Sequence, residues 1–283
     1  MNYEFIAQRV EKIVGEKADY IKAPKGKHLL NAIVIGSGNV RPTFYVDSFT
    51  KDFTSEEEIA HAIAECYKKT ETNPFNQLPD FTKFTSVKDM IFPCLVNKGA
   101  FIDNDVVLKK FADDIDISYR MIIDENSSCV IKKDMLKMWD ISVEELHALA
   151  TNNLDKREYY FDDMIKTMVE MVDLDEETKK QIIKEKSGFM YLLSNKNKMY
   201  GASNLLNKKT LETVQEKIGD YFIIPSSIHE LILLPYNEIA DIADVSQISR
   251  MVREVNDTQV REDERLSYSV FCYNAEKGLF QVA

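Results

Sequence analysis

Cysteine is scarce and scattered: Cys66, Cys94, Cys129 and Cys272 are the only four in 283 residues, with no C-x-x-C pair and no clustering with His28, His61, His147 or His229. That distribution argues against a structural zinc site and a disulfide framework, and it predicts reduced thiols in a cytoplasm. No apolar run reaches the roughly 18 residues of a membrane span. The stretch MNYEFIAQRVEKIVGEK places Glu4 and Arg9 where a signal peptide needs an uninterrupted apolar region, so a soluble, cytoplasmic protein is expected. Positive charge is in deficit, 36 Lys and Arg against 47 Asp and Glu for a net charge of −11. The chain as a whole therefore lacks the basic field of a bulk nucleic-acid binder, and protein is the expected class of partner. No P-loop, kinase set or EF-hand loop is present, and neither a cofactor nor a metal is expected.

What is there is ample apolar material. A 45% hydrophobic chain of this length can bury a substantial core, and two lobes are expected, 1–155 and 156–283. Ile6, Val10, Ile13 and Val14 recur at helical spacing before Gly15. Two β-branched and aromatic runs flank Gly36-Ser37-Gly38-Asn39, predicting a hairpin from about Leu29 to Val46. The Gly-x-Gly there is no phosphate loop: a third glycine is missing, and Pro42 to Val46 continues as strand where a helix would have to begin. Ser55 with Glu58 and Ser142 with Glu145 are capping boxes that open helices, the second running to about Asn153. Residues 70 to 82 read as a loop. Further helices are expected at 157–172, 175–186, 208–218 and 245–256, and strands in PCLVNK, DISYRMIID, SSCVI, FMYLLSN, 221–236, 267–273 and 279–282. Hairpins interspersed with helices predict an α+β fold with mostly antiparallel sheet. The wide stripe Phe161, Met164, Ile165, Met168, Val169 and Val172 reads as core filling in preference to a partner groove.

The stretch YFIIPSSIHELILLPY, Tyr221 to Tyr236, interrupts an apolar run with two serines, a histidine and a glutamate. If Ile228 to Leu234 is strand, His229 and Glu230 face opposite ways and form no dyad with each other. Ser227 shares a face with His229, but about 6 to 7 Å of strand separates their backbones, and no G-x-S-x-G elbow is present. A Pro-Ser-Ser turn whose hydroxyls satisfy turn amides is the preferred reading. Asp114 and Asp116 fall on one face of a strand and could hold a metal, although solvated edge charge explains them more simply. The tract SNKNKMYGASNLLNKK, with Lys196, Lys198, Lys208 and Lys209 beside Tyr200 and Asn204, reads as a solvated loop.

Four segments, MWDISVEELHALATNN, MYLLSNKNKMYGASNLLN, YFIIPSSIHELILLP and VREVNDTQV, resemble in order and spacing the bacterial family called domain of unknown function 5688, found in Gram-positive gut bacteria and their mobile elements. A more distant likeness is to domain of unknown function 1444. The resemblance implies no activity, but it directs attention to polar and turn-forming positions. Of these, Asn204, Ser226, Ser227, His229, Glu230 and Asn256 are the candidate binding surface. Two readings follow. One is a non-catalytic interaction or regulatory protein of a mobile element; the other is a hydrolase or nuclease built from Ser227, His229, Glu230 and Asn256, or from Asp114 and Asp116.

Overall fold

Asn2 and Gly15 bracket the first helix for the reasons capping residues usually do: the Asn2 side chain accepts the Phe5 N–H, and Gly15 turns left-handed at φ 78°. The computed structural model describes residues 1–37, 41–71, 79–123, 128–239 and 245–283. Two compact units emerge, Met1–Phe81 with Gly99–Asn104, and Thr82–Lys98 with Asp105–Ala283. The 155/156 division expected from sequence falls at the C-terminal cap of a helix inside the second unit.

In the first unit, α1 (Tyr3–Val14) precedes an antiparallel sheet of β1 (Ala18–Lys25), β2 (His28–Ile35) and β3 (Thr43–Tyr45), and α2 (Glu56–Glu71) follows. The anticipated hairpin is β2 with β3; residues 38–40 of its turn, and 72–78 of the expected loop, lie outside the described residues. The first strand escaped notice because Lys22, Pro24 and Lys25 disguise it as a basic tract, and an edge strand tolerates such residues. Ser55 and Glu58 do exchange hydrogen bonds ahead of α2. Ile6 and Val10 of α1 and Ile59 and Ile63 of α2 bury against Ile33, Ile35 and Val46. Each such side chain contributes about 1.5–3 kcal/mol of transfer free energy.

The second unit opens with α3 (Phe84–Val87) and a four-stranded sheet of β4 (Ile91–Asn97), β5 (Leu108–Lys110), β6 (Ile115–Ile122) and β7 (Ser128–Val130), in which β6 pairs with the other three. Next come α4 (Lys133–Trp139), α5 (Val143–Leu154), β8 (Tyr159–Asp163), α6 (Met164–Glu170), α7 (Glu176–Lys186) and β9 (Tyr191–Asn195). A 3-10 helix, Gly201–Leu206, leads into α8 (Lys208–Ile218), β10 (Tyr221–Ile224), β11 (Leu231–Pro235), α9 (Tyr236–Ile239), α10 (Val245–Gln259), β12 (Phe271–Asn274) and β13 (Gly278–Gln281). The larger sheet runs β13-β12-β10-β11-β9-β8. Strand pairs in all three sheets are antiparallel, so the fold is α+β as the pattern of elements indicated. On β10, Phe222 and Ile224 join a cluster with Ile248 and Val252 of α10, while the Tyr221 hydroxyl donates to the Leu211 carbonyl of α8. Cover on both faces explains why this strand shows no polar alternation.

The helix expected over 157–172 is corrected by the structure. Residues 159–163 are strand β8, paired along β9, and the helix starts only where the Asp163 carboxylate accepts the N–H groups of Ile165 and Lys166. The methionine stripe is corrected with it: Val169 is buried, but Met168 and Val172 are 52% and 50% exposed, and Met171, outside the stripe, is 75% exposed beside them.

Tyr119 of β6 is fully buried, its phenol pushed up to about 12 by burial and by Glu144, and it hydrogen-bonds His147 Nδ1 at 3.0 Å. Desolvation, then Lys109, holds the His147 imidazole below its ordinary value of 6.5. The folded state therefore binds that proton less readily than the unfolded chain. Its contribution to stability is complete above the ordinary histidine value and is lost as pH falls through the lower folded one. Urea unfolding at pH values above and below this window is expected to show stability falling with acid, and His147→Phe is expected to flatten that slope.

Candidate functional site

Pro225 to Glu230 connects β10 to β11, but it is not the strand start supposed from sequence. It runs antiparallel beside 264–267, with Leu266 N–H donating to the Ser226 carbonyl (2.9 Å), Ser267 N–H to Pro225 (3.1 Å), Ile228 N–H to Glu264 (2.9 Å), and a single bridge at Ser227 and Arg265. On its other side the His229 carbonyl accepts from Gly201 N–H (2.9 Å) and the Ser194 hydroxyl (2.7 Å). The Ser227 hydroxyl accepts the His229 backbone N–H at 3.0 Å, closing a serine turn. The alternation of His229 with Leu231 that a strand would impose does not apply, because β11 begins only at Leu231.

The His229 imidazole is turned toward the 3-10 helix. Its Nδ1 accepts the Tyr200 N–H at 3.3 Å, its ring lies 5.6 Å from the Tyr200 ring, and its Nε2 is 3.9 Å from Glu264 Oε1. With Nδ1 taken up by a backbone N–H, the ring presents Nε2 to the carboxylate. Glu264 is also shared with Arg261 Nη1 at 3.4 Å. Tyr200 can present its amide in this way because its backbone is left-handed (φ 55°), an uncommon state for a non-glycine residue.

Asn204 is buried and donates to the Gly201 carbonyl at 2.9 Å. Asn256, fully buried on α10, donates to the Ser267 carbonyl at 2.7 Å. Ser226 and Ser227 are buried; only His229 and Glu230 of the six candidates reach solvent to an appreciable degree. Asn204, Ser227 and His229 thus gather around the contact between residues 225–230 and the 3-10 helix, whereas Asn256 lies one layer away behind Ser267.

Asp114 stands just before β6, not within it, so it does not share a strand face with Asp116. Its carboxylate accepts the hydroxyls of Ser267 (2.6 Å) and Ser269 (3.1 Å) and so ties the start of β6 to the chain leaving α10. No group of three or more His, Cys, Asp or Glu that could hold a metal occurs among the described residues. An open cavity of about 380 Å³, lined in part by Lys110, Phe111, Asp113, Phe271, Phe280 and Gln281, contains none of the six candidates. Lys196 pairs with Glu158 and Lys208 with Glu212, so two lysines of the basic tract already hold carboxylates. Tyr200, Ser194 and Glu264, which complete the surroundings of His229, carried no local signal in the sequence beyond their polarity.

No curated protein and no solved structure matches the chain. A family model does match, over residues 4–275, which is nearly the whole length. The segments that build this site, the 3-10 helix, the turn before β11 and the helix carrying Asn256, all lie within that match: the chain belongs to the family of unknown function DUF5688.

Proposed function

We propose that this protein works by binding another protein, in a non-catalytic or regulatory role, through the exposed end of α6 and the turn that follows it. The observation that carries this reading is the exposure of Met168, Met171 and Val172 at helical spacing, with Leu174 and Phe189 also exposed. Asp173, Asp175, Glu176 and Glu177 border these apolar side chains in the sequence and are exposed as well. A patch of adaptable methionines rimmed by acid suits a partner surface that is apolar at its centre and basic at its edge. The net charge of −11 supports the same complementarity.

The hydrolase reading finds less support. The Ser227 hydroxyl is engaged by the His229 backbone rather than by its imidazole, so that imidazole is not placed as the base a nucleophile needs.

The test compares the wild-type chain with a Met168→Lys/Met171→Lys variant as immobilised bait in native lysate. A stoichiometric protein captured by the wild type, released by raised salt and absent from the variant is the expected result. Equal capture by both, or none by the wild type, would overturn the proposal.

A further inference from the structure

In a chain with 47 acidic residues, a partly buried guanidinium without a carboxylate is unusual, and the second unit holds two. Arg120 of β6 and Arg157, in the turn after α5, make no ion pair among the described residues. They approach one region of the four-stranded sheet. Arg120 lies opposite Phe92 in the β4–β6 register, so both side chains leave the sheet on the same side. The Arg157 guanidinium sits 4.9 Å from the centre of the Phe92 ring, and that of Arg120 sits 4.8 Å from the centre of the Tyr200 ring. Cys94, two residues along β4 on the same side, is close to both. Burial raises its thiol to about 11, and the two arginines pull in the opposite direction.

The donors here are underused. The Arg157 guanidinium makes no hydrogen bond among the described residues, and that of Arg120 makes one, from Nη1 to the Ser128 hydroxyl at 3.1 Å. Arg120 Nε is buried without a partner, and the hydroxyl of Ser203, a residue 2% exposed on the 3-10 helix, has only the Cys94 thiol, a weak hydrogen-bonding group, as a partner among the described residues. Stacking on an aromatic face occupies the plane of a guanidinium and leaves its N–H edge for an oxyanion, the group that a planar fork binds best. Partial burial also penalises the charged form of the Arg157 guanidinium, a penalty that a bound anion reduces.

We propose that Arg120 and Arg157, with the Ser203 hydroxyl, form a binding site for the carboxylate or phosphate group of a small-molecule ligand, flanked by Phe92 and Tyr200. This site is independent of the exposed apolar patch on α6, so either can fail without the other. Its position also gives the left-handed Tyr200 a purpose, since the Tyr200 ring packs at a tilt against His229 and carries Arg120.

The experiment is thermal unfolding and calorimetric titration of the full chain with inorganic phosphate and, separately, malonate, against sodium chloride at matched ionic strength. The expected result is a saturable rise in Tm with at least one of the two oxyanions and a measurable Kd. Arg157→Gln should weaken that Kd by about tenfold or more, the loss of a charge-assisted hydrogen bond, and Arg157→Lys should weaken it less. A response to phosphate alone assigns a phosphorylated ligand, a response to malonate alone assigns a carboxylate, and a response to both assigns an oxyanion site in general. Arg157 is the primary variant because its side chain makes no hydrogen bond among the described residues whose loss would compromise folding. No response beyond chloride in the wild type, or the same Kd in Arg157→Gln, would overturn the proposal.

Discussion

Replacing Gly201 with alanine is expected to destabilise the protein by about 3 kcal/mol, among the largest effects available to a single methyl group. A Cβ at this position would collide with the Ser194 hydroxyl oxygen and would lie 2.5 Å from the His229 carbonyl oxygen and 2.6 Å from the Asn195 backbone nitrogen. Side chains can rotate away, but two of these three atoms are backbone held in place by pairing. The Gly201 N–H itself donates to the His229 carbonyl, so relief by moving the helix start would break the bond that joins it to the turn. Adding Ser194→Ala should therefore fail to restore stability, because the backbone contacts remain. Urea unfolding measures both variants; a Gly201→Ala protein within about 0.5 kcal/mol of wild type would show that the 3-10 helix does not approach the turn this closely.

The second large effect is expected at Asn256. Its side chain is fully buried and its amide donates to the Ser267 carbonyl, while its own backbone carbonyl accepts from Arg265 Nη2 at 2.6 Å. Truncation to alanine removes a donor from a buried carbonyl and leaves a void, together about 2–4 kcal/mol. Asn256→Asp is a sharper test because it keeps the shape. An ionised carboxylate would point an acceptor at the Ser267 carbonyl, and only the protonated acid could donate, so the folded state raises the pKa of the new group. A raised folded pKa contributes stability that is fully present below the unfolded value and disappears as pH rises through the folded one. The aspartate variant should thus come closest to wild type in acid and fall below the alanine variant near neutrality. Parallel pH profiles for the two variants would contradict this geometry.

Much of the fold could be read from the chain because its punctuation is local. The Ser55–Glu58 and Ser142–Glu145 boxes, Gly15 as a helix end, and the paired apolar runs at 221–236 all act within a few residues, and each stands where expected. The misreadings arose where distant partners decide. Residues 159–163 satisfied a helical pattern with the methionines that follow, but pairing with β9 makes them strand. Exposure of Met168 and Met171 depends on what packs beside α6, which periodicity does not encode. The serines at 226 and 227 announced a turn, whereas the segment they lie against, 264–267, is set by chain some forty residues on, and Asp114 reaches Ser267 across 153 residues. Arg120 and Arg157 had no signal at all: each is an ordinary arginine in sequence, and only their shared neighbours Phe92 and Cys94 draw attention to them.

The side chains of Ser227 and Asn256 hold backbone in place around the turn before β11, each through a hydrogen bond to a main-chain group. The most direct measurement is the unfolding free energy of Ser227→Ala beside that of Asn256→Ala. A loss of about 1 kcal/mol is expected for the serine, whose hydroxyl satisfies the His229 N–H, and a larger loss for the asparagine. Unchanged or increased stability in Ser227→Ala, the behaviour of a residue kept for chemistry at the expense of the fold, would contradict it.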